Sequence, residues 1–375
     1  MSVPGEAGGQ VPRCVVVGGS LVGMSAAIAL SRLGISVTVL ERSPVRARAG
    51  GGGLGVDIGL VQEVTGIDEA PPVVHGIDRD TTAWHLLQGW LEDHALAGGV
   101  TVHRAVEVKG VRPGDAWQLA CAVTADGDEY PADLVIAADG ARSENRACVA
   151  PDDPDARYAG VLLWRALVDE QALPKEVALP SADEPSRELY VGPYRLVTYL
   201  VPGAAGQAAV GQRRLNLVWY DPEQGDLLRG LGLLAGETVH ASLDPEAVPA
   251  PVRDRLAAFA AANWPSPWRE ALALALAGGT VYGTPIVHYK PRQLVRGRAA
   301  LAGDAAHAAS PMVGGGFREG LLDVAALAKV MAGPIVSAAI PEALARYQHQ
   351  RLGPGARHVA TSEQATDRYL ARASR

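Results

Sequence analysis

Cysteine is scarce in this chain. Cys14, Cys121 and Cys148 are the only three in 375 residues, with no paired spacing and no C-x-x-C. That pattern argues against a disulfide framework, a thiolate metal site and a dithiol redox centre, and it suits a reducing cytoplasm. Basic charge is also short: 34 Lys and Arg stand against 41 Asp and Glu, a net charge of −7. A nucleic-acid backbone needs clustered cations to displace its counterions, so small molecules are the expected partners and nucleic acid is not. Long apolar runs are missing as well. The most apolar stretch, residues 14 to 40, is interrupted by Ser31 and Arg32 and diluted by four glycines. No basic segment with an A-x-A site precedes it, so neither a membrane span nor a secretory leader is expected. The histidines and acids show no ligand spacing, so no metal is expected. No G-x-S-x-G elbow supports a hydrolase, and there are no internal repeats.

What is present describes a soluble globular protein, 48% hydrophobic and 20% charged, and long enough for two cores. Residues 1 to 12, rich in Gly and Pro, read as a disordered tail. The run "CVVV" at 14 to 17 leads into Gly18, Gly19 and Ser20. Val22, Ala26, Ala27, Leu30 and Leu33 then recur at helical spacing until Gly34, and "ISVTVLE" alternates as a second strand. Strand, helix and strand make a βαβ unit with parallel strands, hence an α/β fold. The glycine-dense "AGGGGLG" that follows reads most simply as a flexible linker. Trp84, Leu87 and Leu91 mark a packed helix.

Beyond residue 100 come alternating segments near 100–112 and 117–124, a turn at Asp126-Gly127, and the apolar strand "ADLVIAADG". From about 158 to 284 the texture becomes aromatic and strand-like, in "VLLWRALV", "RELYVG", "RLVTYLV" and "RLNLVWY", as in an antiparallel sheet. A helical pair near 252–262 and 268–277 interrupts it. The end returns to a strand, "GRAALAG", a helix starting near Gly316, and one or two charged helices from Pro341.

Three motifs carry chemistry. Backbone N–H groups at a helix N-terminus, with the helix dipole behind them, receive a pyrophosphate. In the G-x-G-x-x-G form the first glycine makes the tight turn, the second admits the phosphate and the third lets helix pack on strand. Gly18 and Gly23 keep the first and last of these jobs, and Ser20 takes the middle one with a hydroxyl that can itself donate. Glu41, 18 residues beyond Gly23, stands where an acid accepts from an adenosine ribose, and it would repel a 2′-phosphate. FAD or NAD is therefore expected in this turn. Asp139-Gly140 ends an apolar strand, where open α/β sheets bind ligands, whereas Asp126-Gly127 among polar residues reads as a hairpin turn. Gly303-Asp304 ends another strand and runs through Pro311, Gly314, Gly315 and Gly316 into a helix, whose bare N–H groups suit a second anionic or electron-rich partner.

With these residues in view, the chain resembles the FAD-dependent aromatic hydroxylases related to p-hydroxybenzoate hydroxylase, from about residue 13 to near its end. "GGS", "ERSP", the Trp of "TTAWHLLQGWL", "YAGVLLWRALV" and "RLNLVWY" are similar to the 2,6-dihydroxypyridine hydroxylase branch. Departures are Arg318 and Gly320, where many relatives have Asn and Ala, and His85, where this branch often has an acid. The resemblance implies a p-hydroxybenzoate hydroxylase-like fold: a Rossmann-like FAD-binding domain of residues 13–71, 95–157 and 285–375, and a substrate domain of residues 72–94 and 158–284 built on an antiparallel sheet. It implies that Gly18, Gly23 and Glu41 hold the ADP half of FAD. Asp139, Gly140 and Arg146 would serve both FAD and NAD(P)H, Asp304 beside Gly303 would meet the ribitol, and Pro311, Gly314 and Gly316 would lie against the flavin ring.

The implied reaction uses NADH or NADPH as electron donor and O2 as co-substrate, and hydroxylates an electron-rich aromatic or heteroaromatic ring through a C4a-hydroperoxyflavin. The protein supplies orientation, electrostatics and exclusion of water. Tyr190, Tyr199, Asn216, Trp219 and Tyr282 are the expected substrate contacts, with Tyr199, Tyr282 and His288 as catalytic candidates and His288 as proton acceptor. His307 is expected to brace the flavin loop, and Arg42, Arg146 and Arg318 are cations near anionic cofactor groups. A cytoplasmic monomer or homodimer is expected. Two rival readings stand beside this one: another FAD-dependent oxygenase or oxidase, such as a Baeyer-Villiger type, and a non-catalytic flavin-fold binding protein. A flavin halogenase is disfavoured because no two tryptophans are two residues apart.

Overall fold

The computed structural model describes residues 11–46, 52–181, 187–222, 224–333 and 336–374. Strand β1 (Arg13–Val17), helix α1 (Leu21–Ser31) and strand β2 (Ser36–Glu41) form the expected unit. The two strands pair parallel from Arg13 opposite Ser36 to Val17 opposite Leu40. Valines 15 to 17 are buried, as suits a strand covered on both faces. Gly34, at φ +80°, turns the chain out of α1.

There follow β3 (Gly53–Val56), α2 (Ile58–Thr65), β4 (Asp80–Ala83), α3 (Trp84–Ala97), β5 (Thr101–Arg104), β6 (Val108–Arg112), β7 (Ala120–Thr124), β8 (Glu129–Ala132), β9 (Leu134–Ala137) and α4 (Arg146–Val149). The second half contains β10 (Arg157–Asp169), β11 (Arg187–Val191), β12 (Tyr194–Val201), β13 (Arg214–Asp221), α5 (Gly225–Gly230), β14 (Leu234–Ala235) and β15 (Thr238–Val239). Then come α6 (Ala250–Asn263), α7 (Trp268–Ala277), β16 (Tyr282–His288), β17 (Val295–Arg296), β18 (Ala299–Leu301), α8 (Asp304–His307), α9 (Gly316–Met331) and α10 (Ile340–Ala373).

Two sheets organise these elements. The first has the order β17-β18-β9-β1-β2-β5 and is parallel except at β17. Helices α1, α3 and α9 share its apolar core. The second is antiparallel, in the order β11-β12-β13-β10-β16. Its alternate residues serve different faces. Trp164, Leu217 and Trp219 join α6 and α7 in a core where the Trp219 ring meets that of Trp264 edge-on at 5.6 Å. Leu163, Arg165, Val197, Tyr199, Val218 and Tyr220 face the other way, toward the parallel-sheet unit.

The fold class expected from the sequence is the one observed. Residues 1–10 of the expected tail lie outside the described residues. The linker reading of "AGGGGLG" is corrected in the part described: Gly53–Val56 is strand β3, paired antiparallel with β4, and residues 49–51 lie outside the described residues. The division at residue 94 cuts α3, whose Leu87, Leu91 and Ala95 are buried in the same core as α1. The division at 284 cuts β16, which pairs with β10 from Tyr282 to His288. A helix or a paired strand moves as a unit, so the packing boundary falls at its ends.

Candidate active site

A cavity of about 520 Å³ opens between the two sheets, and Ser20, Gly140, Asp304, Pro311, Gly314, Gly315 and Gly316 all contribute to its wall. The three glycine-bearing loops therefore converge on one space. Gly18 sits at φ +100°, and a Cβ there would lie 2.6 Å from the Ala138 carbonyl oxygen. At Gly23 a Cβ would lie 1.9 Å from the Gly18 oxygen, so neither position accepts a side chain. Ser20 is the N-cap of α1, yet its side chain does not cap the helix. Gly315, the N-cap of α9, has no side chain with which to cap it. Two helix N-termini thus open on one cavity with no side chain satisfying their amides, an electropositive arrangement that fits a pyrophosphate and an electron-rich ring.

The glycine turn at 18–23 is braced by side chains of neighbouring elements. Glu41 accepts from the Gly19 N–H at 2.7 Å and the Ser43 N–H at 2.7 Å. Gln88 donates to the Gly19 carbonyl at 3.0 Å and to buried Glu92, which also takes both oxygens' worth of contact from Arg104 at 2.6 and 2.5 Å. Arg42 stands exposed just after β2.

Asp139 accepts from the Asn145 side chain at 2.8 Å, and its other oxygen is buried without a partner. Arg146 differs from the expected cofactor cation. It is 1% exposed, donates to the carbonyl oxygens of Ala305 at 2.8 Å and Asp304 at 2.6 Å, and lies over the Tyr289 ring. It ties the Asp-Gly loop to the Gly-Asp loop, and it does not line the cavity.

Gly303 occupies φ +63° and donates to Asp323 at 2.9 Å. The Asp304 side chain is exposed on the cavity wall, and desolvation by the protein around it pushes its pKa up against the pull of His307, Arg146 and His358. His307 bonds Asp323 at 2.7 Å, and Arg351 bonds the other Asp323 oxygen at 2.6 Å. This buried network supports the loop of residues 303–307, in keeping with a bracing His307.

The substrate contacts are only partly assembled. Tyr199 lines the cavity, and burial pushes its hydroxyl up to about 12. Asn216 and Tyr282 stand on the same sheet face, packed behind Gly52 and Gly53, and the Asn216 oxygen accepts from the Gly53 N–H at 2.8 Å. Three expectations are corrected. Trp219 is on the opposite face, 1% exposed, because it follows Val218 in an alternating strand. Tyr190 lies at the sheet edge, donating to Glu188 and covered by Arg372. His288, at the end of β16, meets Ser362 of α10 at 3.3 Å and is not among the cavity residues. Arg165, Arg195 and Tyr220 line the cavity and were not anticipated. The signal was there in the alternation: Asn216 and Trp219 cannot share a face, whereas Asn216, Val218 and Tyr220 do.

Family comparisons match residues 6–153 to the pyridine nucleotide-disulphide oxidoreductase family, 158–275 to the FAD binding domain-like family and 284–362 to the FAD binding domain family. Aurachin C monooxygenase/isomerase of Stigmatella aurantiaca is 27% identical over 366 residues, covering 90% of this chain and 84% of that protein. 2,6-Dihydroxypyridine 3-monooxygenase of Paenarthrobacter nicotinovorans is 26% identical over 346 residues, covering 85% and 82%. Among solved structures, 2,6-dihydroxypyridine-3-hydroxylase from Arthrobacter nicotinovorans superposes with a TM-score of 0.77 at 22% identity, over 96% of this chain and 93% of that one. Klebsiella pneumoniae HpxO complexed with FAD and uric acid gives 0.70 at 22% identity, over 97% and 93%.

Fold, cavity and family matches together define a flavin-type oxidoreductase with its site between a parallel and an antiparallel sheet. Within that class, the chain is similar to FAD-dependent monooxygenases such as 2,6-dihydroxypyridine 3-monooxygenase.

Proposed function

We propose that the chain holds FAD across the loops at 18–23, 139–146 and 303–316, accepts electrons from NADH or NADPH, and uses O2 to hydroxylate an electron-rich aromatic ring. The observation that carries this reading is the convergence of those three loops, with two uncapped helix N-termini, on one cavity. FAD, when bound, supplies electron uptake and activation of O2. The α1 amides beside Ser20 would receive its pyrophosphate, and Asp304 would accept from its ribitol hydroxyls. The loop of Pro311 and Gly314 to Gly316 would leave backbone, without side chains, against the ring. Leu163, Val197 and Val218 present an apolar wall that orients an aromatic substrate and keeps water out.

The purified protein should be yellow, and NAD(P)H oxidation should rise with an aromatic substrate in the presence of O2. Asp304→Ala should sharply lower the flavin-to-protein ratio. Colourless protein without such activity would favour a binding module, and unchanged flavin in Asp304→Ala would overturn the role given to that carboxylate.

A further inference from the structure

Among the described residues of the cavity wall one carries sulfur, and it is Met312. Its side chain is half-buried. It packs against Leu163, Val218, Tyr220 and Ile286, residues of the antiparallel sheet that line the same cavity. Met24 and Met331 are sealed in the core of the parallel sheet, at 0% and 1% exposure. The fourth methionine, Met1, lies outside the described residues.

Met312 also holds its loop. Ser310 Oγ accepts from the Met312 N–H at 3.3 Å, and the Ser310 N–H donates to Ser362 of α10 at 2.8 Å. Beyond Met312, Gly314 and Gly315 occupy φ +67° and +82° and offer no side chain. Phe317 packs on the other core. The thioether is therefore the apolar tie between residues 311–316 and the antiparallel sheet.

A thioether has no proton to lose, so its sulfur lone pair is available at any pH, whereas a thiol reacts as its thiolate. No thiol competes in this place. Cys14 and Cys121 are buried, burial pushes the Cys14 thiol far up, and none of the three cysteines lines the cavity.

We propose that Met312 is a sulfoxidation site, oxidised by hydrogen peroxide ahead of Met24 and Met331. The sulfur lone pair attacks one peroxide oxygen, the S–O bond forms and the O–O bond breaks. The proton on the transferred oxygen passes to the departing hydroxide, which leaves as water; the sulfur loses two electrons and the peroxide gains them. A source of peroxide inside the cavity rests on the hydroxylase reading, since an O2-activating flavoprotein with no ring to oxidise releases it. The sulfoxide is polar where the thioether was apolar, so it loosens the loop from Leu163 and Val218. Turnover without substrate thereby weakens the site that performs it.

The test treats the protein as purified with hydrogen peroxide for a series of times, stops each sample with catalase and maps it by peptide mass spectrometry. Met312 should gain one oxygen at least about 10-fold faster than Met24 or Met331. Amide hydrogen exchange over residues 308–316 should then rise about 3- to 10-fold, return after treatment with methionine sulfoxide reductases, and stay constant in peroxide-treated Met312→Leu. Met312 gaining oxygen no faster than the other two, exchange unchanged once Met312 is oxidised, or an equal rise in Met312→Leu would each overturn the assignment. A parallel sample receives NADH or NADPH in air with no aromatic ligand, and Met312 should gain oxygen there too. If it does not, while added peroxide still selects Met312, the hydroxylase reading fails and this site stands.

Discussion

Arg146 donates from Nη2 to the backbone oxygen of Asp304 at 2.6 Å, across 158 residues of sequence. With its bond to Ala305, this contact locks two of the three cavity loops to one another. Arg146→Met removes the donors and strands two buried carbonyls, which should cost about 2–4 kcal/mol of stability. Flavin retention should fall in parallel. Denaturant unfolding and the flavin-to-protein ratio, read on the same samples, check both. A variant that keeps its stability and loses flavin would instead make Arg146 a direct ligand.

His85 supplies a pH dependence. Burial, reinforced by the Arg214 charge, lowers its pKa to about 4 from the ordinary 6.5. The folded protein thus holds a neutral ring that the unfolded chain protonates below pH 6.5. Its contribution is fully present above that pH and is lost as pH falls toward 4, by about 2–3 kcal/mol. His85→Gln should flatten the stability slope between pH 6.5 and 4, measured by urea unfolding at a series of pH values.

Trp219 should behave as a core residue. It packs edge-on against Tyr194 and Trp264, away from the cavity. Trp219→Leu is expected to cost about 2–4 kcal/mol in unfolding free energy with ligand affinity unchanged. A large rise in the dissociation constant for aromatic ligands, with stability intact, would return it to the site.

Gly53 should tolerate no side chain. A Cβ there would lie 2.8 Å from the Tyr199 ring and 2.9 Å from the Asn216 side chain. Gly53→Ala should therefore displace the polar end of the cavity. Expected are a stability loss of about 1–3 kcal/mol and weaker aromatic binding, followed by thermal unfolding and titration.

Much of this site was legible in the sequence because its parts are local. The strand, glycine turn and helix at 13–31 follow from β-branched runs, a turn that needs φ above zero, and helical spacing. The same holds for Asp139-Gly140 and Gly303-Asp304 at strand ends. Trp219 was misplaced because an aromatic in a strand is equally at home on either face. His288 was misplaced because its surroundings come from α10, 74 residues away. Arg165 was overlooked because in the sequence it is one basic residue in an apolar run.

The order of strands and helices, and the glycines that only a close backbone approach can use, are properties of short stretches and were determined by the sequence itself. Which arginine finds a carboxylate and which is left facing a cavity depends on partners brought from distant strands, since charge pairing acts over a few ångströms of space whatever the separation in chain. That choice, between Arg195 beside Glu188 and Arg165 alone over Gly52, was made only by the tertiary structure.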